Sequence, residues 1–316
     1  MPRILLVHPF AQAISGPDRS ILAVIRELGP QGYAYDVVLP GESPFAPDYR
    51  ALGCRVFTYP MSILKRRLDP AYLLGYALRF VPTILYLRRV IRQTLPDLVH
   101  VNGGVLLGAG PAAVLTGVPA VTHIRCTAID RPAPVAWTIA LVIAATSRRV
   151  IGISQACADI VGKRIRRAQT RVVFNGIDLA PFADAADRDV WRTELDLPAG
   201  TPILGQVGRI GPDKGWLDFV RVAARVRTAV PEAHFVCVGA PHQPSEHKYL
   251  EEVRAEGRRL GIEDAVHFVG QRDDIATVMG GFDVFVTMAH EEGLGRVAIE
   301  AMAAGVPVVA NGVHGL

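Results

Sequence analysis

The chain has 316 residues, of which 50% are hydrophobic and 20% are charged, so it can form two domains and is too apolar to be disordered. Its net charge of +4 suits anionic ligands or anionic lipid and is too small to indicate nucleic-acid binding. The four cysteines show no C-x-x-C spacing, which is typical of reduced packing residues. The first apolar run is too short for a signal peptide, so we expect a cytoplasmic protein.

Strand-like and helix-like runs alternate through the first half of the chain. The predicted strands are 4–8, 36–39, 56–59, 98–101, 120–123, 150–153 and 171–174. The predicted helices between them are 18–28, 71–94, 112–116, 134–145 and 155–163. Nearly continuous apolar strands joined by helices indicate a parallel sheet that is covered on both faces.

The second half repeats this pattern after an acidic, alanine-rich segment. The predicted strands are 203–207, 234–238, 266–268, 284–287 and 308–310, and the predicted helices are 215–229, 248–260, 274–280 and 297–304. We therefore predict an α/β protein with two Rossmann-like, doubly wound domains that face a cleft. The domains span 1–178 and 201–316, with 179–200 as the linker. Ligands of such sheets bind at the carboxyl ends of the strands.

Two carboxylates mark the strand-to-helix turn near the end of the chain. Glu292 is followed directly by Gly293-Leu294-Gly295, and Glu300 lies about five residues into the next helix, a rise of roughly 7–8 Å. Glycine-rich turns into a helix expose backbone N–H groups that bind phosphate. That rise is about the span of a diphosphate, so the pattern predicts a nucleotide-sugar site. Paired acids on a solvated helix face are the alternative interpretation.

A basic turn follows the first strand of the second half. Arg209 and Lys214 flank Gly211-Pro212 just before a predicted helix. Two cations at the end of a strand suit a diphosphate, since charge-assisted hydrogen bonds are strong. Arginine is common in this chain and lysine is scarce, so Lys214 is the more informative of the two.

Two positions in the first half are weaker candidates. Gly16 lies in the turn after the first strand, where a ligand can approach the backbone, although an ordinary turn explains it as well. His123 ends the fifth strand and can hydrogen-bond a sugar hydroxyl or a carbonyl, although a lone histidine is more often structural.

Taken together, these motifs resemble the retaining glycosyltransferases of family 4, whose two-domain fold is GT-B. The matching segments run nearly end to end and are 16–20, 118–123, 152–154, 173–178, 208–215 and 292–302. The last two are specific to the family, and the others support them.

The resemblance implies a role for each candidate residue. Arg209 and Lys214 would bind the donor diphosphate, and Glu300 would hold the ribose hydroxyls. The catalytic pair would be Glu292, which contacts the donor sugar, and His123 beside it. The remaining donor contacts would be Gly16, the turn Gln271-Arg272 facing the base, and the backbone of Gly293, Leu294 and Gly295.

The implied reaction moves a sugar from a nucleotide diphosphate to an acceptor hydroxyl with retention of configuration. Arg209, Lys214 and the helix N-terminus would stabilise the leaving diphosphate, so no metal and no other cofactor is expected. Front-face attack is the expected route, in which the leaving phosphate oxygen takes the acceptor's proton. A covalent sugar on Glu292 is the rival route.

The sequence departs from the family pattern in several places. Leu294 stands where phenylalanine is common, and Met288-Ala289-His290 replaces the usual Pro-Ser. The second domain is also shorter than in the family, so we expect it to be incomplete.

The stretch 61–95 bears on the acceptor. It carries Lys65, Arg66, Arg67, Arg79, Arg88, Arg89 and Arg92 among aromatic and aliphatic residues. A basic amphipathic surface of this kind rests on anionic lipid, at the inner face of the plasma membrane in this case. The acceptor would then be a lipid-linked saccharide of cell-surface polysaccharide or glycolipid synthesis. A solvated helix of the domain is the alternative.

Other interpretations stay open. A nucleotide-sugar epimerase shares the two-domain fold, and a non-catalytic fragment would bind the nucleotide without transfer. A dehydrogenase is the weakest, because Gly108-Ala109-Gly110 does not follow a strand directly. Asp187 and Asp189 resemble an Asp-x-Asp metal site but lie in the predicted linker. His242, Glu246 and His247 lie in what reads as a loop, so a metal site is not expected there.

Overall fold

The chain folds into two compact α/β units, Met1–Gly176 and Ile177–His314. The computed structural model describes residues 1–9, 16–65, 69–126, 132–165, 169–183, 188–313 and 315–316. Arg66, Arg67 and Asp187 of the motifs above lie outside the described residues.

A seven-stranded parallel sheet forms the centre of the first unit. Its strands are β1 (Arg3–Val7), β2 (Ala34–Leu39), β3 (Arg55–Thr58), β4 (Leu98–Val101), β5 (Ala120–Ile124), β6 (Arg149–Gly152) and β7 (Thr170–Val172). Their spatial order is β3-β2-β1-β4-β5-β6-β7. The strands β1 and β4 are parallel, and the side of the sheet to which successive strands are added changes between them, so the sheet is doubly wound. The predicted parallel sheet is confirmed.

Helices cover both faces of this sheet. They are α1 (Gly16–Leu28), α2 (Ala46–Ala51), α3 (Pro70–Thr94), α4 (Ala109–Val114), α5 (Ala133–Thr146) and α6 (Gln155–Gly162). Successive residues of a strand point to opposite faces. Leu5 and Val7 of β1 thus pack against α3 and α4, while Ile4 and Leu6 pack against α1 and α2.

The second unit contains a five-stranded parallel sheet. Its strands are β8 (Ile203–Val207), β9 (His234–Val238), β10 (Val266–Gly270), β11 (Val284–Thr287) and β12 (Val308–Ala310), in the order β10-β9-β8-β11-β12. Its helices are α7 (Ala180–Ala183), α8 (Val190–Glu194), α9 (Trp216–Ala229), α10 (Pro244–Arg259), α11 (Ile275–Gly280) and α12 (Arg296–Ala303). The strand order of this sheet reverses between β8 and β11, which are parallel neighbours.

The segment predicted as a linker, 179–200, is part of the second unit. Phe182 and Trp191 are buried in the core that also contains Val278, Phe282 and Phe285. The indole N–H of Trp191 donates to the backbone oxygen of Val278 at 3.1 Å. Phe182 and Trp191 therefore anchor this segment to the second unit, which its composition alone did not reveal.

The region around Pro244 is a helix, where the sequence was interpreted as a loop. α10 begins at Pro244, which is tolerated in the first turn because the lost N–H has no intrahelical partner there. Glu246 completes a capping box with Gln243. The predicted start at residue 248 was therefore four residues late.

No helix among the described residues is long and apolar enough to cross a membrane.

Candidate active site

The candidate donor residues of the second unit lie at the carboxyl ends of β8 and β11. These strands are neighbours at the point where the strand order reverses, the usual binding position in an open α/β sheet. Arg209 and Lys214 belong to the turn that follows β8, and Glu292 belongs to the turn that follows β11. Both turns therefore leave the sheet side by side.

Lys214 and Glu292 form an ion pair between these turns. The Lys214 Nζ lies 2.7 Å from Glu292 Oε2, and both side chains are about one-fifth to one-quarter exposed. The second carboxylate oxygen of Glu292 accepts a hydrogen bond from the backbone N–H of Gly293 at 3.1 Å. Two residues that the sequence assigned to one site thus meet directly.

Gln206, at the end of β8, braces the two turns against each other. Its side-chain amide donates to the backbone oxygen of Lys214 at 2.9 Å and accepts from the backbone N–H of Met288 at 3.1 Å. The two turns can approach this closely because residue 215 is glycine. A Cβ at that position would lie 1.9 Å from the Met288 backbone oxygen. The φ of Gly215, 65°, is also in the left-handed region that favours glycine.

Arg209 is held by two carboxylates. Its guanidinium donates to Glu246 and to Asp213. Glu246 is buried and also accepts from the backbone N–H of His242 at 2.7 Å, so the residue weighed as a metal ligand is a helix cap and an arginine partner. Its proximity to Arg209 depends on the β9–α10 connection, which sequence spacing does not reveal.

The turn after β11 leads into α12, whose first N–H groups have no intrahelical acceptor. Gly295 caps the helix with a φ of 69°, a conformation that glycine adopts without strain. Glu300 is buried one turn further on and forms an ion pair with Arg296, with 2.7 Å between Nε and Oε1. Arg296 was not among the predicted site residues, although its i, i+4 spacing from Glu300 is the detectable signal.

Gln271 and Arg272 follow β10, and their surroundings differ. Gln271 is exposed. Arg272 pairs with Glu194 and Asp274 and lies over the ring of Trp191 at 5.4 Å, so it anchors α8 to this turn. The predicted contact of these two residues with the base stays a prediction.

Polar side chains also gather at the reversal point of the first sheet. His8 follows β1, Asn102 follows β4, and Asp18 lies in the first turn of α1, which begins at Gly16. All three polar side chains are buried. His8 Nε2 lies 2.5 Å from Asp18 Oδ1, and the Asn102 amide nitrogen lies 2.7 Å from His8 Nδ1.

Arg125 extends this network from the end of β5. It is buried and donates through Nε to Asn102 Oδ1 and through Nη1 to Asn175 Oδ1, the latter at 2.8 Å. Burial lowers the pKa of Arg125 to about 10, while Tyr49 and Asp18 act in the opposite direction. An arginine remains charged at that pKa, so a buried cation lies at this edge of the sheet.

His123 lies next to Arg125, with 3.3 Å between its Nδ1 and the Arg125 Nη2. Its ring stacks on His100 with centroids 5.6 Å apart. Burial, then Arg125, then His100 lower the pKa of His123 to about 2, so the imidazole is neutral. Its Nε2 is buried and has no hydrogen-bond partner among the described residues.

The sequence singled out His123 but not the residues around it. His8, Asn102 and Arg125 each directly follow or end a buried apolar strand. A polar residue in that position is the signal that could have identified them, because strand ends meet at one edge of the sheet.

Among the residues that the structure describes, no group of three or more His, Cys, Asp or Glu side chains is arranged to hold a metal ion. The expectation of metal-free chemistry stays a prediction.

Known families match almost all of the chain. Residues 14–181 match the family described as Glycosyltransferase Family 4, and residues 187–316 match Glycosyl transferases group 1.

Two relatives match over nearly the full length of this chain. The 2-deoxystreptamine N-acetyl-D-glucosaminyltransferase of Streptomyces fradiae is 32% identical, and the match covers 96% of this chain and 76% of that protein. The 2-deoxystreptamine glucosyltransferase of Streptomyces kanamyceticus is 31% identical, with 92% and 79% covered.

Solved structures share the architecture. Anabaena Alr3699/HepE in complex with UDP-glucose has a TM-score of 0.79 at 23% identity, covering 99% of this chain and 81% of that one. A sucrose-phosphate synthase from Thermosynechococcus elongatus has a TM-score of 0.75 at 22% identity, covering 100% and 82%. The fold is GT-B, as the resemblance implied. The chain belongs to the family 4 glycosyltransferases.

Proposed function

We propose that this chain transfers a sugar from a nucleotide-diphosphate donor to an acceptor hydroxyl with retention of configuration. The observation that carries the proposal is the meeting of Lys214, Glu292 and the start of α12 at the reversal point of the second sheet. A cation and backbone N–H groups without an intrahelical acceptor can bind a diphosphate, and a carboxylate can accept hydrogen bonds from sugar hydroxyls.

The leaving diphosphate is the part of the donor that gains charge during transfer. Lys214 and the N-terminus of α12 supply positive potential there, and fixed donors stabilise a developing charge without reorganisation. Arg209 is positioned by Glu246 and Asp213 and has further N–H groups for a phosphate oxygen. These groups would stabilise the negative charge of the leaving diphosphate without a metal ion.

The two glutamates would contact the sugars. Glu292 lies beside the first turn of α12 and would accept hydroxyl hydrogen bonds from the donor sugar. Glu300 lies a turn deeper and would accept them from the ribose, beside its ion pair with Arg296. The phosphate oxygen that leaves would take the acceptor's proton, so Glu292 need not form a covalent intermediate.

The names of the similar proteins support a nucleotide-sugar donor. Anabaena Alr3699/HepE was solved with UDP and with UDP-glucose. A relative from Escherichia coli, 25% identical over 96% of this chain, is a UDP-galactose-dependent galactosyltransferase by its name. A UDP-sugar is therefore the first donor to test.

Calorimetric titration with UDP, GDP and ADP tests the donor site. We expect binding of one nucleotide by the wild-type chain and its loss in the Lys214→Ala, Glu300→Ala double variant. Transfer assays with sugars of that nucleotide follow, and NMR of the product's anomeric proton reads retention or inversion. A folded chain that binds none of the three nucleotides would overturn the proposal.

We propose a ring hydroxyl of a cyclitol or sugar as the acceptor, either free or lipid-linked. By their names, the Streptomyces relatives act on 2-deoxystreptamine, and the Escherichia coli relative acts on a diphosphoundecaprenol-linked sugar. Parallel assays with an aminocyclitol and with a lipid-linked saccharide separate the two. Transfer to neither would reject this acceptor class.

One structural observation favours a lipid-linked acceptor over a free one. Four apolar residues of α3 are more than half exposed: Leu74, Leu78, Val81 and Leu85. Their spacing of four, three and four residues places them on one helix face, which Arg89 and Arg92 continue towards the helix C-terminus. An apolar stripe followed by arginines suits the surface of an anionic bilayer.

Flotation with phosphatidylglycerol-containing and neutral vesicles tests this surface. We expect salt-sensitive flotation with the anionic vesicles and its loss in the Leu74→Glu, Leu78→Glu variant. Leu179→Glu, at an exposed leucine of the second unit, is the matched control. Equal recovery with both vesicle types would exclude anionic-lipid binding and favour a soluble acceptor.

A further inference from the structure

We infer that Arg125 is a positioning residue that fixes the tautomer of His123, so that His123 presents its Nε2–H as a hydrogen-bond donor to a sugar oxygen. The inference deepens the proposed function, because it assumes that His123 contacts a substrate.

The argument starts from the chemistry of the guanidinium, which donates hydrogen bonds and accepts none. Arg125 contacts Asn102 Oδ1 through Nε, so the side-chain oxygen of Asn102 faces Arg125 and its NH₂ group faces His8. His8 Nδ1 therefore accepts, and the proton of His8 is on Nε2, where it faces Asp18. Every donor in this series points away from Arg125 and towards the Asp18 carboxylate.

The same rule applies on the other side of Arg125. Its Nη2 lies 3.3 Å from His123 Nδ1 and can only donate, so Nδ1 is the acceptor. A neutral imidazole has one N–H, which must then be on Nε2. This is the buried atom for which the described residues provide no partner, so a bound ligand is its natural acceptor.

The surroundings of His123 keep the ring neutral. The groups that face it are the cationic Arg125 and the stacked His100, whose own pKa burial lowers to about 3. The pKa of His123 is lowered to about 2. With Nδ1 already occupied by Arg125 and Nε2 protonated, His123 acts as a neutral donor and not as a general base.

Lysine cannot replace Arg125 in this arrangement. The planar guanidinium contacts Asn102, Asn175 and His123 with three different nitrogens, whereas an ammonium is a single point of charge. Asn102 and Asn175 thus orient the guanidinium, and the guanidinium orients the imidazole.

NMR of the ¹⁵N-histidine-labelled full chain tests the inference, because the two ring nitrogens differ in shift according to protonation. His123→Gln assigns the signal. We expect the Nε2–H tautomer in the wild-type chain and a mixture of tautomers in Arg125→Met. Arg55→Met, which removes a half-exposed arginine from the ion pair with Asp36 in the same unit, is the control. His123→Asn assigns the same signal if the glutamine variant does not fold. An Nδ1–H tautomer of His123 in the wild-type chain would overturn the inference.

Kinetics supply the second readout. We expect kcat/KM for the donor to fall about 10²-fold in His123→Gln, with no further loss on adding Arg125→Met, because residues that act as one unit are non-additive. Fully additive losses would contradict a positioning role. Since the tautomer is read without substrate, failure of the transfer assay alone would count against the proposed function and leave the tautomer result intact.

Discussion

At the scale of single residues, the candidate donor site of the second unit neutralises its own charge. Lys214 is paired with Glu292, Arg209 with Glu246 and Asp213, and Arg296 with Glu300. A diphosphate that binds there would share these cations with carboxylates already in place.

Lys214→Ala should separate catalysis from stability. We expect kcat to fall about 10²- to 10³-fold, because the leaving diphosphate loses a fixed cation. The unfolding free energy should change by less than about 1 kcal/mol, since the ion pair is partly exposed. Initial rates of nucleotide release and urea denaturation measure the two effects.

The exposed Lys248 of α10 provides the matched control for this change. Lys248→Ala should leave both quantities unchanged. If Lys214→Ala kept full activity, Lys214 would have no role at the diphosphate.

Gly215→Ala should destabilise the second unit by more than about 3 kcal/mol. A left-handed conformation costs a non-glycine residue about 1–2 kcal/mol, and the new Cβ would in addition overlap the Met288 oxygen at 1.9 Å. Urea denaturation followed by circular dichroism measures the loss.

Gly261→Ala isolates the backbone contribution. Gly261 has a similar φ of 68°, and nothing lies within 4 Å of a Cβ built there. It should cost only about 1–2 kcal/mol. Equal losses in the two variants would show that the contact with Met288 is unimportant.

The sequence revealed residues that belong to local motifs. Lys214 and Glu292 stood out because each lies in a short glycine-rich turn, and Glu300 stood out by its spacing from Glu292 in the helix that follows. Each of Arg209, Arg125 and Arg272 also has a partner that is distant in sequence. Glu246 lies 37 residues from Arg209, Asn175 lies 50 residues from Arg125, and Glu194 lies 78 residues from Arg272. Such pairings depend on how strands are ordered in the sheet, which no local pattern records.

At the scale of elements, strands were easier to predict than the segment between the units. The strands are short apolar runs, and each predicted strand is present with bounds that differ by only a few residues. The segment 179–200 was predicted as a linker because of its alanines and charges, yet Phe182 and Trp191 pack it into the core of the second unit.

Trp191→Ala should test whether this segment belongs to the fold of the second unit. Trp191 is fully buried, so we expect a loss of about 3–5 kcal/mol in unfolding free energy, together with proteolytic cleavage near α8.

The control for this change is Leu179→Ala in the same segment. Leu179 is 56% exposed, so its truncation should change stability by no more than about 0.5 kcal/mol. A harmless Trp191→Ala would restore the interpretation of the segment as a linker.

At the scale of the whole molecule, buried histidines should make the chain sensitive to acid. Burial lowers the pKa of His100 to about 3 and that of His123 to about 2, against about 6.5 in the unfolded chain. Below pH 6.5 the unfolded state binds protons that the folded state does not. Stability is therefore full above pH 6.5 and is lost as the pH falls, by about 1.4 kcal/mol per pH unit for each histidine.

Urea denaturation between pH 7 and pH 5 measures this slope. His123→Gln should reduce it by the contribution of one histidine, and replacement of the exposed His247 by glutamine serves as the control. An unchanged slope in His123→Gln would mean that His123 protonates equally in the folded and unfolded states.

The brace formed by Gln206 and Gly215 has a consequence for altering sugar preference. The turn that carries the lysine and the turn that carries the first glutamate share the Gln206 amide and the contact of Gly215 with Met288. In a chimera that receives only one of these turns from a relative with a different donor, the contacts between the two turns would no longer fit. Grafts of residues 206–216 and 287–296 together should fold where either graft alone fails, so the two turns form one exchangeable cassette.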